Sequence, residues 1–185
     1  MWLKLKNDFA EVDWDGPGPH ESYLDRKTLA LVGAYHSSVE GLFHPYVRPQ
    51  ENGYRTDTRA VRFADKEGTG LVVVGHSQFS WGASYYDEDS FGQKKKMEVR
   101  HTVDMKKQDY IKVNIDYGQM GVGGDNSWGE RPHTQYRILP HDHYYAFTIK
   151  LQKNKEPFAD VLESIEMGYI GCPIDKEISN YYHNE

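Results

Sequence analysis

Apolar and polar positions alternate with a period of two along several short stretches, the spacing that a half-buried strand presents to a core. "TRAVRFA" (58–64) places Ala60 and Arg62 on one face and Val61 and Phe63 on the other. "DKEGTG" is turn material and "LVVVG" (71–75) is an apolar run suited to a sandwich core, so 58–75 reads as a hairpin. "QFSWGASYY" (78–86) predicts a further aromatic strand with Gly82 as a bulge, while "MEVRHTV" (97–103) and "YIKVNID" (110–116) both alternate cleanly. Two late strands are expected over 133–139 and 144–151, joined by the turn "PHDH". Short strands at this spacing, with Gly- and Pro-bearing connections, predict an all-β fold, an antiparallel β-sandwich.

The pattern changes after Leu151. "KNKEPFADVLESIEMG" carries Phe158, Val161, Leu162 and Ile165 at helical spacing, with Pro157 near the start and Gly168 at the end. A sandwich domain over 1–152 and a C-terminal extension over 153–185, a short helix with a polar tail, are expected.

Composition narrows the function classes. Fourteen Tyr and four Trp favour β-structure and stacking surfaces over a helical bundle. A net charge of -6, with dispersed Lys and Arg, argues against a nucleic-acid partner, and the run Lys94-Lys95-Lys96 reads as a solvated face. The single cysteine, Cys172, excludes an internal disulfide or a cysteine-built zinc site. No apolar run is long enough to span a membrane, and the opening residues lack the apolar core of a signal peptide. That favours a cytosolic chain, or one cut from a longer polypeptide, periplasmic origin then remaining open.

Three stretches carry candidate chemistry. In "DGPGPHESYLDRK", Gly16-Pro17-Gly18-Pro19 predicts a rigid turn that gathers His20, Glu21, Tyr23, Asp25 and Arg26. His20 and Glu21 form a candidate acid/base pair; alternatively Glu21, Asp25 and Arg26 pin the loop to the sandwich. In "YVRPQENGYRTDTR", charges of both signs surround the Asn52-Gly53 turn, suggesting either ion pairs that hold a long loop or a polar sugar-binding rim. His141 and His143 flank Asp142 in a turn, and no third metal ligand accompanies them. "QMGVGGDNSWG" sets Trp128 beside a tight polar turn, either plugged into a core or held out for a ligand to stack on.

In combination and in order, the segments G-x-G-P-x-E-x-Y-x-D-R, P-Y-V-x-P-x-E-N-G-x-R and N-I-D-x-x-Q-M-G-V-G-G-D-x-S-W resemble the C-terminal small-chain domain of the family 2 β-galactosidases. The resemblance covers about three quarters of the chain, from near Trp14 to near Leu151. It implies a galactose-mutarotase-like sandwich, incomplete at its N-terminus, because further strands precede the first motif in that family. It also implies that two glutamates in a separate (β/α)₈ barrel perform retaining hydrolysis of terminal β-D-galactosides. Those glutamates and the barrel's metal ions have no counterpart in this chain, which is expected to hold no cofactor and to be non-catalytic alone. The family's tryptophan maps onto Trp128, as an apolar platform for the sugar, with Asp125, Asn126 and Ser127 as neighbouring substrate-binding candidates. Expected partners are the catalytic barrel, on the same polypeptide or a companion subunit, galactosides, and other copies of the chain through the open edges of a truncated sandwich. Two other classes compete: a free-standing carbohydrate-binding module with an exposed row of Trp81, Tyr85 and Trp128, and an epimerase of the mutarotase type using His20 and Glu21 or some other His/Glu pair.

Overall fold

Strand β6 (Tyr110–Asp116) keeps the alternation read from the sequence: Ile111, Val113 and Ile115 are fully buried, and the residues between them are half-exposed. The other strands are β1 (Trp2–Lys6), β2 (Glu11–Gly18), β3 (Leu31–Ser38), β4 (Arg55–Ala64), β5 (Gly70–Ser84) and β7 (Phe147–Gln152). This is a computed structural model describing residues 1–87, 101–126, 128–153 and 156–169, with side chains of the last helix to 164. The chain divides into two compact units, Met1–Asn154 and Lys155–Glu185.

In the first unit the strands form a seven-stranded antiparallel sheet in the order β1-β6-β5-β4-β2-β3, and β7 pairs with the first half of β5. The all-β sandwich class expected from the sequence holds. Val12 and Trp14 of β2, Val61 and Phe63 of β4, Trp81 of β5 and the β6 residues share one core. Trp81 meets Phe63 and Trp14 edge-on, at ring centroid distances of 5.6 and 5.8 Å. One-turn helix α1 (Val39–Leu42) adds Val39 and Leu42 to this core, and its first turn is capped by the Ser38 hydroxyl, which accepts from Gly41 N. In the second unit, α2 (Phe158–Tyr169) starts directly after Pro157, as the helical spacing predicts, and includes Gly168.

Several elements differ from expectation. The segments "LVVVG" and "QFSWGASYY" belong to one 15-residue strand, β5. Its irregularity lies over 75–78, because Ala60 pairs with Val74 whereas Thr58 pairs with Phe79. Gly82, expected as the bulge, sits in regular register opposite Asn114. On β4 the register shifts around Asp57, the one non-glycine residue at positive φ (52°) among the described residues. A short polar side chain tolerates this conformation. Here it accepts from the Thr56 hydroxyl at 2.7 Å and from Lys27 at 2.8 Å. The irregularity lets both Arg55 and Thr56 be buried.

Gly16-Pro17-Gly18 forms the end of β2 rather than a turn; the bend follows at Pro19 and His20. Residues 97–100 of the expected strand "MEVRHTV" lie outside the described residues, as do Lys94-Lys95-Lys96 and Cys172, and Thr102–Asp104 is a single 3-10 turn. The expected strand over 133–139 is also replaced by a 3-10 turn, Thr134–Tyr136, which Tyr136 N closes on His133 O at 2.8 Å. The later strand is confirmed as β7, Phe147–Gln152.

Candidate functional site

Two buried charges build the foundation of the site. Arg55 is 3% exposed; its guanidinium lies over the rings of Trp14 and Trp81, 5.0 and 5.7 Å from their centroids. It donates to Gly53 O at 2.8 Å and Pro19 O at 3.0 Å, while its Nε has no partner. Burial pushes this guanidinium down to about 10, against the opposing charge of Glu21, so it remains charged at neutral pH.

Glu21 is the matching anion. Its carboxylate accepts from Arg26 at 2.8 Å, Gly53 N at 2.8 Å, Tyr23 OH at 3.4 Å and, at very short range, Tyr46 OH. Burial acts to raise its pKa, but the hydrogen bonds from Tyr46, Gly53 and Arg26, together with the Arg26 charge, hold it below the usual value.

This foundation fixes a tight hairpin. Tyr23 and Arg26 exchange backbone hydrogen bonds at 3.0 and 2.9 Å, leaving Leu24 and Asp25 at its tip. Tyr23 stacks on Tyr54 at 5.9 Å behind the turn. The tip presents the Asp25 carboxylate to the glycine-rich loop, where Oδ2 accepts from Gly123 N at 2.7 Å and Oδ1 from Val122 N at 3.2 Å. A Cβ on Gly121 would lie 2.5 Å from the Asp25 carboxyl carbon, so only glycine permits this approach. Gly121 N donates to Tyr136 O at 2.7 Å, which explains why 134–136 turns instead of extending.

Beyond this anchor the loop closes on itself. His133 and Asp125 pair at 2.7 Å, Trp128 N donates to the Asn126 side chain at 2.8 Å, and Gly129 takes a φ of 102°. Gly124 lies against the Glu130 carbonyl. The Trp128 side chain projects from this tip and is 93% exposed, so it plugs no core among the described residues.

The candidates therefore divide. Asp125 and Asn126 hold the loop through their own side chains, and Ser127 lies outside the described residues. Glu21 and Arg26 pin their loop as the network reading expects, but Asp25 reaches across to the glycine loop instead. His20 is exposed while Glu21 is enclosed by the donors named above, which gives no acid/base pair. Trp81 is fully buried and donates to Thr58 Oγ1 at 2.9 Å, so the expected exposed row of Trp81, Tyr85 and Trp128 does not form.

Of the charges around Asn52-Gly53, Arg59 pairs with Asp15 at 2.5 Å and Asp57 with Lys27 at 2.8 Å, as the ion-pair reading expects. Arg55 departs from that reading, drawn into the core. The rings of His141 and His143 lie 4.2 Å apart, tilted by 45°, and no group of three His, Cys, Asp or Glu able to hold a metal occurs among the described residues. The bond between Asp25 and Gly123 is the feature sequence reasoning missed; 98 residues separate its partners.

Comparison with known proteins gives the chain a family. The family described as "Beta galactosidase small chain" matches residues 1–151, which includes β1 and the start of β2, ahead of the resemblance read from the motifs. The chain is 35% identical over 144 residues to a β-galactosidase of Pseudoalteromonas haloplanktis, covering 78% of this chain and 13% of that one. It is 36% identical over 141 residues to one of Vibrio cholerae, covering 76% of this chain and 13% of that one. A third, from Priestia megaterium, is 34% identical over 151 residues, covering 81% of this chain and 14% of that one. This chain thus matches only a small part of each relative's length, and within that part it is a member of the β-galactosidase small-chain family.

Proposed function

We propose that this chain forms one wall of a galactoside-binding site in a β-galactosidase, with Trp128 as the apolar platform for the sugar and the catalytic carboxylates on a separate barrel. The observation that carries the reading is the 93% exposure of Trp128 at the tip of a loop whose backbone is tied at Gly123 and at Trp128 itself. A large aromatic ring held out in this way loses little further freedom when a ligand covers it. The apolar C–H face of a galactose ring matches an indole face. Family membership and the small share of the relatives' length that the chain spans support a division of labour with a larger catalytic body, which would also carry the metal ions.

Ligand-observed NMR of galactose and lactose with the full chain tests the platform. Trp128→Ala is expected to weaken sugar binding about tenfold or more, equivalent to about 1.4 kcal/mol. Because the side chain is exposed, the same change should alter unfolding stability by less than about 0.5 kcal/mol. Equal sugar binding by both proteins would overturn the platform. The isolated chain is expected to show no turnover of a chromogenic galactoside.

Self-association is part of the same reading. Edge strand β3 exposes Leu31 and Val32, with Leu29 exposed just before them, and an apolar open edge invites pairing with another chain. Sedimentation velocity is expected to show species above the monomer that dissociate on dilution; a single monomer across the concentration range would count against it.

A further inference from the structure

We propose that Asp25 is a positioning residue that sets where Trp128 stands, an inference that rests on the platform reading above. Its carboxylate receives two successive backbone donors, Val122 N and Gly123 N, at the entry of the glycine loop. Consecutive N–H groups converging on one anion form a geometrically selective contact, stronger than two neutral hydrogen bonds. The approach of Asp25 to Gly121 leaves no space for a side chain there, so carboxylate and loop fit in one arrangement.

The tip beyond the anchor is internally closed. Asp125 is tied to His133, Asn126 to Trp128 N, and Gly124 lies against the Glu130 carbonyl. A closed tip moves with its attachment, and that attachment is the segment 121–123, held by Asp25 on one side and by Tyr136 O on the other. Asp25 in turn stands on the Tyr23–Arg26 hairpin, whose Arg26 is bonded to buried Glu21. A connected support therefore runs from the core tryptophans, which the Arg55 guanidinium overlies, by hydrogen bonds through Gly53 and Glu21 to Arg26, along the backbone to Asp25, and from its carboxylate to the loop bearing Trp128. Nothing in this path requires Asp25 to touch the sugar.

The test uses the full 185-residue chain, ¹⁵N-labelled, with the Trp128 indole resonance assigned by its loss in Trp128→Ala. Asp25→Ala is expected to raise the water-exchange rates of the Val122 and Gly123 amides about fivefold or more. It should also shift the Trp128 indole signal and leave the core amides of Val61 and Ile115 unchanged. Asp25→Asn, which keeps one acceptor oxygen, should fall between Asp25→Ala and the unsubstituted chain. Unchanged exchange at Val122 and Gly123, or a rise matched by Val61 and Ile115, would overturn the proposal; the second outcome would mark general loosening of the fold.

Gly121→Ala supplies an independent arm. It should displace the Trp128 signal in the unsubstituted chain and displace it less when Asp25→Ala has removed the obstructing carboxylate; simple additivity would refute the lock. Galactose and lactose titrations then separate the two readings. Weaker binding by Asp25→Ala supports the positioning role, and full affinity despite a shifted Trp128 would overturn it. Failure of the unsubstituted chain to bind sugar would count against a platform that works in isolation, leaving the exchange rates to decide the role of Asp25.

Discussion

Glu21→Leu is expected to lower the free energy of unfolding by about 3 kcal/mol, the loss typical of leaving a buried charge without its counter-charge. The reasoning starts from asymmetry between its cationic neighbours. Arg26 has a side chain 54% exposed and recovers water when its partner disappears. Arg55, 3% exposed and enclosed by Trp14 and Trp81, cannot. The Gly53 N–H and the Tyr46 hydroxyl lose their acceptor in the same step. Glu21→Gln should cost less, about 2 kcal/mol, because one amide oxygen still accepts a hydrogen bond. Urea unfolding followed by circular dichroism reads both values; a loss below about 1 kcal/mol for Glu21→Leu would show that the charge on Arg55 is neutralised in another way.

The pH dependence has a defined sign. Glu21 titrates lower in the folded chain than its ordinary value of 4.5, so its ionised form contributes stability above that value. The contribution drains away as pH falls from about there through the lower folded-state value, where protonation removes the charge that Arg26 and Arg55 face. Glu21→Gln should therefore flatten the acid limb of the stability profile below pH 4.5 while lowering the plateau above it.

The local pattern carried a good part of this fold. β4, β6, β7 and α2 were legible because each states its period in its own residues. The G-P-G segment misled because glycine and proline usually punctuate chains, whereas here they extend β2 in register with β3 from Pro17↔Val32 to Gly18↔Leu31. β1 carries only five residues with two half-buried leucines, a signal too short to separate from an irregular terminus. The 3-10 turn at 134–136 was invisible because its cause is tertiary: the Tyr136 carbonyl bends to meet Gly121 N.

The site divides in the same way. Trp128 was reached by resemblance, since polar turn chemistry beside an aromatic residue fits a core plug as well as a platform. Its support was not legible, because the Asp25–Gly123 contact joins residues far apart in the chain, and local spacing carries no record of such a pair. Arg55 was equally hidden. In a segment read as a loop held by ion pairs, only the arrival of Trp14 from β2 and Trp81 from β5 makes a buried position for it.

Trp81→Ala is expected to destabilise the chain by about 4–5 kcal/mol, at the upper end for truncation of a buried aromatic. The indole is fully buried where β4, β5 and β6 meet, paired opposite Arg55 on one side and Ile115 on the other. Its removal takes away the edge-on contacts with Trp14 and Phe63 and opens a cavity that three hydrogen-bonded strands cannot close by shifting. It also removes the donor to Thr58 Oγ1 and one of the two aromatic faces beneath the Arg55 guanidinium. Trp81→Phe isolates these contributions, because it keeps most of the apolar volume and loses the N–H bond; about 2 kcal/mol is expected. For a domain whose total stability falls near 5–15 kcal/mol, the alanine variant should be largely unfolded by modest urea, with a lowered midpoint and an unchanged slope. Against it stands Trp128→Ala, expected to leave the urea midpoint almost where it was. A large shift for Trp128→Ala, or a small one for Trp81→Ala, would reverse the assignment of the two tryptophans, because burial alone gives the first its work in the fold and exposure alone frees the second for a ligand.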